Sequence, residues 1–301
     1  MNSKDDFPWK ENGLLKEAYK QDNYLVSETG SKTGQAVIFF SSNGIYYPND
    51  EKTFRAYIQK GNDGFEWFHL AQHREIQNHF EKIIFVRDVY KQWYVTGINE
   101  RLDSVDKVLS FLQEQTVGCR VTTCGGSAGG YAAALFGCLL HANRIFANSA
   151  QFLLLPDSRF GPFIERYASD PSRSRYYDLL PFLREQPNVF YTFPAQCEDD
   201  KTQYEHIREL PNMHILRIRS KVHGDTLEGI CWPYLLTMDN DRRTDLYRRY
   251  SRKPVYRLTA SNAVLPTGEK VRLLCHKIAK KLRKLFCALH RRGTHHKGTH
   301  S

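Results

Sequence analysis

The chain has 301 residues, 41% of them hydrophobic, enough to bury one α/β core of roughly 200–270 residues with an appendage. Residues 1–22 are polar and charged with no apolar stretch of the secretory type, and no run of about 18 apolar residues could span a bilayer. The formal net charge is +10, yet residues 270–301 hold ten Lys/Arg and no acid; without those ten, 33 of the 43 basic residues face 33 acidic ones. The body is neutral and the tail carries the excess.

Five short runs in chain order have the length and the β-branched or aromatic content of buried strands: 36–41 (AVIFFS), 82–87 (KIIFVR), 120–124 (RVTTC), 189–193 (VFYTF) and 214–218 (HILRI). Between them Leu102, Val105, Val108, Leu109 and Leu112 recur at helical spacing, as do Tyr131, Leu135 and Leu139. Such alternation predicts an α/β fold, a mostly parallel sheet flanked by helices, with reactive groups at the carboxyl ends of the strands. Residues 46–80 and 156–187 fit the pattern less well. The second, with Pro156, Pro162, Pro171, Pro181 and Pro187, is read as a small cap insertion above the sheet. The expected domains are 1–260, a catalytic domain, and 261–301, a basic tail.

Seven cysteines (119, 124, 138, 197, 231, 275 and 287) form no C-x-x-C pair. Their odd number and the absent signal indicate reduced thiols in a cytoplasmic protein. Zinc would need tighter Cys/His clustering, so no metal is expected.

The chemistry centres on Gly125-Gly126-Ser127-Ala128-Gly129. A serine hydroxyl is a weak nucleophile without a base, but Ser127 follows a strand, precedes a helix and has glycine two positions to either side. A sharp strand-to-helix elbow needs small neighbours there. A P-loop would end in Gly-Lys-Ser/Thr, whereas Tyr131 follows Gly130. Helix N-termini present free N–H groups to negative charge, so the Ala128 N–H is the first expected oxyanion donor.

The partners come in the order Ser, acid, His. Residues 196–200 (QCEDD) follow the 189–193 strand, and 220–224 (SKVHG) follow the 214–218 strand. His223 is the expected base. Asp200 is the expected acid, because Gln203, Tyr204 and Ile207 then follow like the first turns of a helix; Asp199 stays open as the alternative. The second oxyanion donor is expected in Ser41-Ser42-Asn43-Gly44 after the first strand, at the N–H of Ser42 or Asn43. A polar turn is the competing reading of that loop. Arg87-Asp88 and Trp93-Tyr94 read as structural residues at the same sheet edge, with lining of the acceptor site as the alternative.

These residues resemble the α/β-hydrolase superfamily over about 36–235. The run GGSAGGYAA, the strand-like 142–147, Asn148-Ser149-Ala150-Gln151, Asp200 and His223-Gly224-Asp225 are similar to a narrower group. That group comprises bacterial surface-polysaccharide enzymes, including capsule O-acetyltransferases with a Ser-Asp-His triad. The resemblance implies acyl transfer through acetyl-Ser127, acetyl-CoA as donor and a glycan as acceptor. No motif reports a coenzyme A site, and the tail has no counterpart in the pattern. A serine esterase would use the same residues. A non-catalytic member of a glycan-assembly complex would have no need of all three.

Val271, Leu274, Ile278, Leu282, Leu285 and Leu289 recur at steps of three or four, one apolar stripe on a helix otherwise rich in Lys and Arg. Such a helix suits an anionic membrane surface or an anionic polymer; a stripe packed on the domain is the plainer alternative. Nucleic acid is disfavoured, since Phe286 is the helix's one aromatic for stacking.

Overall fold

The computed structural model describes residues 13–155, 165–186 and 188–294, with backbone alone at 281 and 284–294. Seven strands form one sheet: β1 (Tyr24–Glu28), β2 (Gln35–Phe40), β3 (Lys82–Val86), β4 (Arg120–Gly126), β5 (Arg144–Asn148), β6 (Val189–Pro194) and β7 (Met213–Ile218). Their order is β1-β3-β2-β4-β5-β6-β7. All neighbours are parallel except β1, which pairs antiparallel with β3 at the edge. The five expected runs are thus strands, and the strand-like 142–147 is β5. β1 was not foreseen: YLVSE is short, and its burial is only partial, as befits an edge strand.

Alternation along β2 shows why these runs form a two-faced sheet. Ile38 and Phe40 enter one core with Ile84, Val86 and the helices Val105–Gln115 and Ala128–Leu139. Val37 and Phe39 enter the other with Ile83, Phe85, Trp67, Trp232 and Leu265. Successive side chains point to opposite faces, and a parallel sheet covered on both faces takes apolar residues at every position.

The stretch Tyr176–Leu183 of the proline-rich insertion lies on the first face. Tyr176, Leu179 and Leu183 are buried in that core, and the Tyr131 hydroxyl donates to the Tyr176 carbonyl at 2.6 Å. From Tyr176 onward the segment is therefore the crossover from β5 to β6; residues 156–164 and Pro187 lie outside the described residues. Residues 46–80 carry short helices, among them Glu51–Ile58 and Arg74–His79.

Register aligns the strand ends. Phe40 pairs with Gly125, Gly126 with Asn148, and Pro194 with Ile218. The segments that leave β2, β4, β6 and β7 consequently emerge together at one edge.

Candidate active site

Ser127 stands between β4 and the helix Ala128–Leu139 with φ 53° and ψ −121°. A non-glycine residue held in this region costs on the order of 1–3 kcal/mol and persists only where its surroundings enforce it. Here they do. The Ser127 N–H donates to the Asn148 carbonyl at 2.8 Å, and its carbonyl accepts from the Tyr131 N–H at 2.9 Å. The turn also requires bare backbone: a Cβ on Gly125 would stand 2.1 Å from the Gly129 carbonyl oxygen, and one on Gly129 would stand 2.3 Å from that of Phe40. Gly129→Ala must therefore push the elbow off β2. Overpacking of this kind costs about 1–3 kcal/mol, a loss of roughly 2–5 °C in Tm at this size. We expect that loss in a thermal melt, together with slower fluorophosphonate labelling of Ser127; an unchanged melt and rate would show that the turn has slack.

The loops after β6 and β7 reach Ser127 side by side, the Gln196 N–H donating to the Ser220 carbonyl at 3.0 Å. His223 Nε2 lies 2.9 Å from Ser127 Oγ, and His223 Nδ1 lies 2.8 Å from Asp200 Oδ2. An ionised carboxylate only accepts, so with Asp200 charged the ring proton sits on Nδ1 and Nε2 accepts from the serine hydroxyl. The helix that carries the acid runs Glu198–Ile207, with Cys197 at its N-cap position. It begins before Asp200, so the acid stands in its first turn and not in a preceding loop. Consecutive helical residues diverge by about 100°: Asp200 turns inward and is 1% exposed, whereas Asp199 is exposed. The structure thus brings Asp200, and not Asp199, to His223. Carboxylates in a first helical turn are also favoured by the helix dipole.

The histidine loop is fastened on its far side. Ser220 Oγ donates to Asp225 Oδ2 at 2.7 Å. Arg257 pairs with Asp225 and, at 3.0 Å, with Glu228. Thr226 Oγ1 donates to Asn148 Oδ1 at 2.6 Å, which joins this loop to the end of β5. None of these supports has a signature in sequence, since each pair is separated by several residues to several dozen.

The loop after β2 packs against the elbow, as the Gly129–Phe40 approach requires. The Ser42 N–H donates to Glu66 Oε2 at 2.5 Å. It is committed to that carboxylate, so it does not serve as a free oxyanion donor in this conformation. The N–H groups of Asn43 and Ala128 have no hydrogen-bond acceptor among the described residues. Glu66 was not foreseen; it lies 24 positions from Ser42 on an irregular connection that no periodicity marks. The residue as a whole is exposed, but its carboxyl is crowded by protein. Desolvation raises its pKa, opposed by the bond from Ser42.

Arg87, Asp88, Trp93 and Tyr94 are buried and brace this edge. Asp88 accepts from the N–H groups of Tyr90, Gln92 and Tyr94. Burial still pushes its carboxyl up to about 6. The Tyr94 hydroxyl donates to the Ser41 carbonyl at 2.8 Å, so the 88–94 turn supports the β2 loop from behind.

Ligand atoms of Cys197, Asp200 and His223 lie within 4.8 Å of one another. A metal there would displace the Asp200–His223 hydrogen bond, so the group competes with the serine arrangement. Cys119, Cys124, Cys138, Cys197, Cys231 and Cys275 are free thiols.

A mostly parallel sheet, a strained serine after a central strand, and an acid and a histidine that follow it in order now stand together. The chain resembles the α/β-hydrolases. No protein-family model and no curated protein matches it. Among solved structures it is similar to a protein of unknown function from Staphylococcus aureus (13% identity, 82% of this chain and 97% of that one, TM-score 0.42). The capsule O-acetyltransferase of Neisseria meningitidis serogroup A matches at 14% identity, over 67% of this chain and 85% of that one, with TM-score 0.47. A thermostable esterase from Pseudomonas putida matches at 12%, over 81% and 79%, with TM-score 0.43. Likenesses at this level leave substrate and reaction to be argued from the site.

Proposed function

We propose that the protein is a serine acyl-transfer enzyme working through an acyl-Ser127 intermediate, and that its reaction is O-acetylation of a bacterial capsular or other surface polysaccharide. The observation that carries the chemistry is the unbroken hydrogen-bond chain from Asp200 through His223 to Ser127, with the nucleophile at a helix N-terminus.

In this reading the Ser127 hydroxyl attacks the carbonyl carbon of the acyl donor while His223 Nε2 takes its proton. Negative charge develops on the carbonyl oxygen and is met by the N–H groups of Ala128 and Asn43. Collapse breaks the bond to the leaving group, which for a thioester is a thiolate, and the imidazolium returns the proton to it. His223 then takes the proton of an acceptor hydroxyl, whose oxygen attacks the acyl carbon. Ser127 leaves and recovers its hydrogen. Asp200 holds the ring tautomer and stabilises the cation at both stages.

Acetyl-CoA as donor and a glycan as acceptor rest on the resemblance of GGSAGGYAA and the accompanying residues to capsule O-acetyltransferases. Hydrolysis of the acyl-enzyme by water, as in an esterase, uses the same side chains. Incubation with acetyl-CoA should yield acetyl-Ser127 by mass spectrometry, and a capsule-type polysaccharide added next should gain the acetyl group. Free acetate with no acetylated polysaccharide would assign an esterase. The absence of any acyl adduct from acetyl-CoA or an activated acetate ester would remove the acyl-transfer reading.

A further inference from the structure

The last described helix, Thr267–Thr294, has 28 residues and would extend about 42 Å at 1.5 Å per residue. Its first turns are fixed to the body by two contacts. Leu273 is 8% exposed in the core of the second sheet face, and Lys277 Nζ pairs with Glu228 Oε1 at 2.6 Å. Glu228 is the partner of Arg257 beside the histidine loop, so the helix has a defined attachment to the domain.

The apolar stripe is not the attached face. Leu273 stands about 160° round the helix from Val271. Val271, Leu274, Ile278 and Leu282 are 56%, 53%, 51% and 49% exposed, and by the same periodicity they fall within an arc of about 80°. Packing on the body, the plainer explanation of the stripe, is therefore wrong for these four residues. Arg283 and Arg272, the latter paired with Glu269, border the arc on one side and Lys270 on the other, next to the Lys277 that holds Glu228. In sequence Leu285 and Leu289 continue the spacing, and the ten Lys/Arg of 270–301 are unopposed by any acid in that range.

We infer that the helix Thr267–Thr294 is a membrane-surface element that lays this apolar stripe into the headgroup boundary of an anionic bilayer, with its cations at the phosphate level. The combination selects the occupant. A polyanionic glycan would satisfy the charges but offers nothing to cover four exposed aliphatic side chains. A second copy of the helix would cover the stripe but would bring two unopposed basic segments together. An anionic bilayer meets both demands, because the aliphatic groups enter the acyl boundary while long basic side chains reach outward to the phosphates. The helix does not cross the bilayer: no described helix is long and apolar enough to do so. The inference is independent of the chemistry at Ser127.

The test is co-sedimentation of the full chain with phosphatidylcholine vesicles, with and without phosphatidylglycerol, alongside the variant Ile278→Glu/Leu282→Glu. The expected result is at least tenfold tighter binding to the phosphatidylglycerol vesicles, weakened by salt, and at least a tenfold loss in the variant at unchanged Tm. Both positions are exposed, so the fold should tolerate the changes; Ile278→Ser/Leu282→Ser removes the stripe without adding charge and should lose binding as well. Equal binding by all three proteins, or no preference for the anionic vesicles, would overturn the inference. So would dextran sulfate binding as tight as vesicle binding and untouched by the variants, which would assign the surface to a polymer. Concentration-dependent dimerisation in analytical ultracentrifugation that the variants abolish would assign it to a second copy.

Discussion

Ser127→Ala is expected to abolish covalent labelling by a fluorophosphonate probe and to lower acyl transfer by about 10⁴–10⁶-fold. The size follows from the arrangement: the alanine variant has no atom to accept the acyl group, and His223 then has only water to activate. What remains is the rate given by substrate binding and the oxyanion N–H groups. The fold should be little affected, because Ser127 Oγ makes its hydrogen bond to His223 and the elbow is held by backbone bonds from Asn148 and to Tyr131. Alanine is also no more strained than serine at this φ. Undiminished labelling would place the nucleophile elsewhere, and a collapsed Tm would show that the hydroxyl serves the fold.

The second large effect separates two adjacent carboxylates. Asp200→Asn should reduce turnover by about 10⁴-fold, whereas Asp199→Asn should leave it within about twofold, since exposed polar substitutions seldom reach a buried site. An amide at position 200 can present its NH₂ to His223 Nδ1. The ring proton then moves to Nε2, where the serine hydroxyl no longer finds an acceptor. The readout is steady-state turnover of an activated acetate ester by the two purified variants with matched Tm. Equal activities, or the larger loss at Asp199, would reverse the assignment.

Much of the scaffold was legible from local pattern. AVIFFS, KIIFVR, RVTTC, VFYTF and HILRI read as strands because of their length and their β-branched or aromatic content. The helix after Ser127 read as a helix because its large residues recur every three or four positions. The edge strand YLVSE escaped because an edge strand of five residues, only half-buried on either face, has a composition shared with many loops. Composition reads the proline-rich insertion as a cap above the sheet; of its described part, Tyr176, Leu179 and Leu183 pack into the core of the first face, and residues 156–164 and 187 lie outside the described residues. Proline content speaks to backbone shape and not to which side of the sheet a segment covers.

For the site, sequence alone determined the setting of Ser127, the chain order of Ser127, Asp200 and His223, and the charge of the tail. Glycine spacing, strand ends and the count of Lys and Arg are local properties of the chain. Tertiary structure decided what depends on direction. It turned Asp200 inward and Asp199 outward through the 100° step of a helix that begins at Glu198. It committed the Ser42 N–H to Glu66, 24 positions away, and left the Asn43 N–H without an acceptor among the described residues. It set Leu273 against the body and left the stripe from Val271 to Leu282 exposed. Each outcome is a choice of facing, fixed by packing between segments distant along the chain, and no local pattern carries that information.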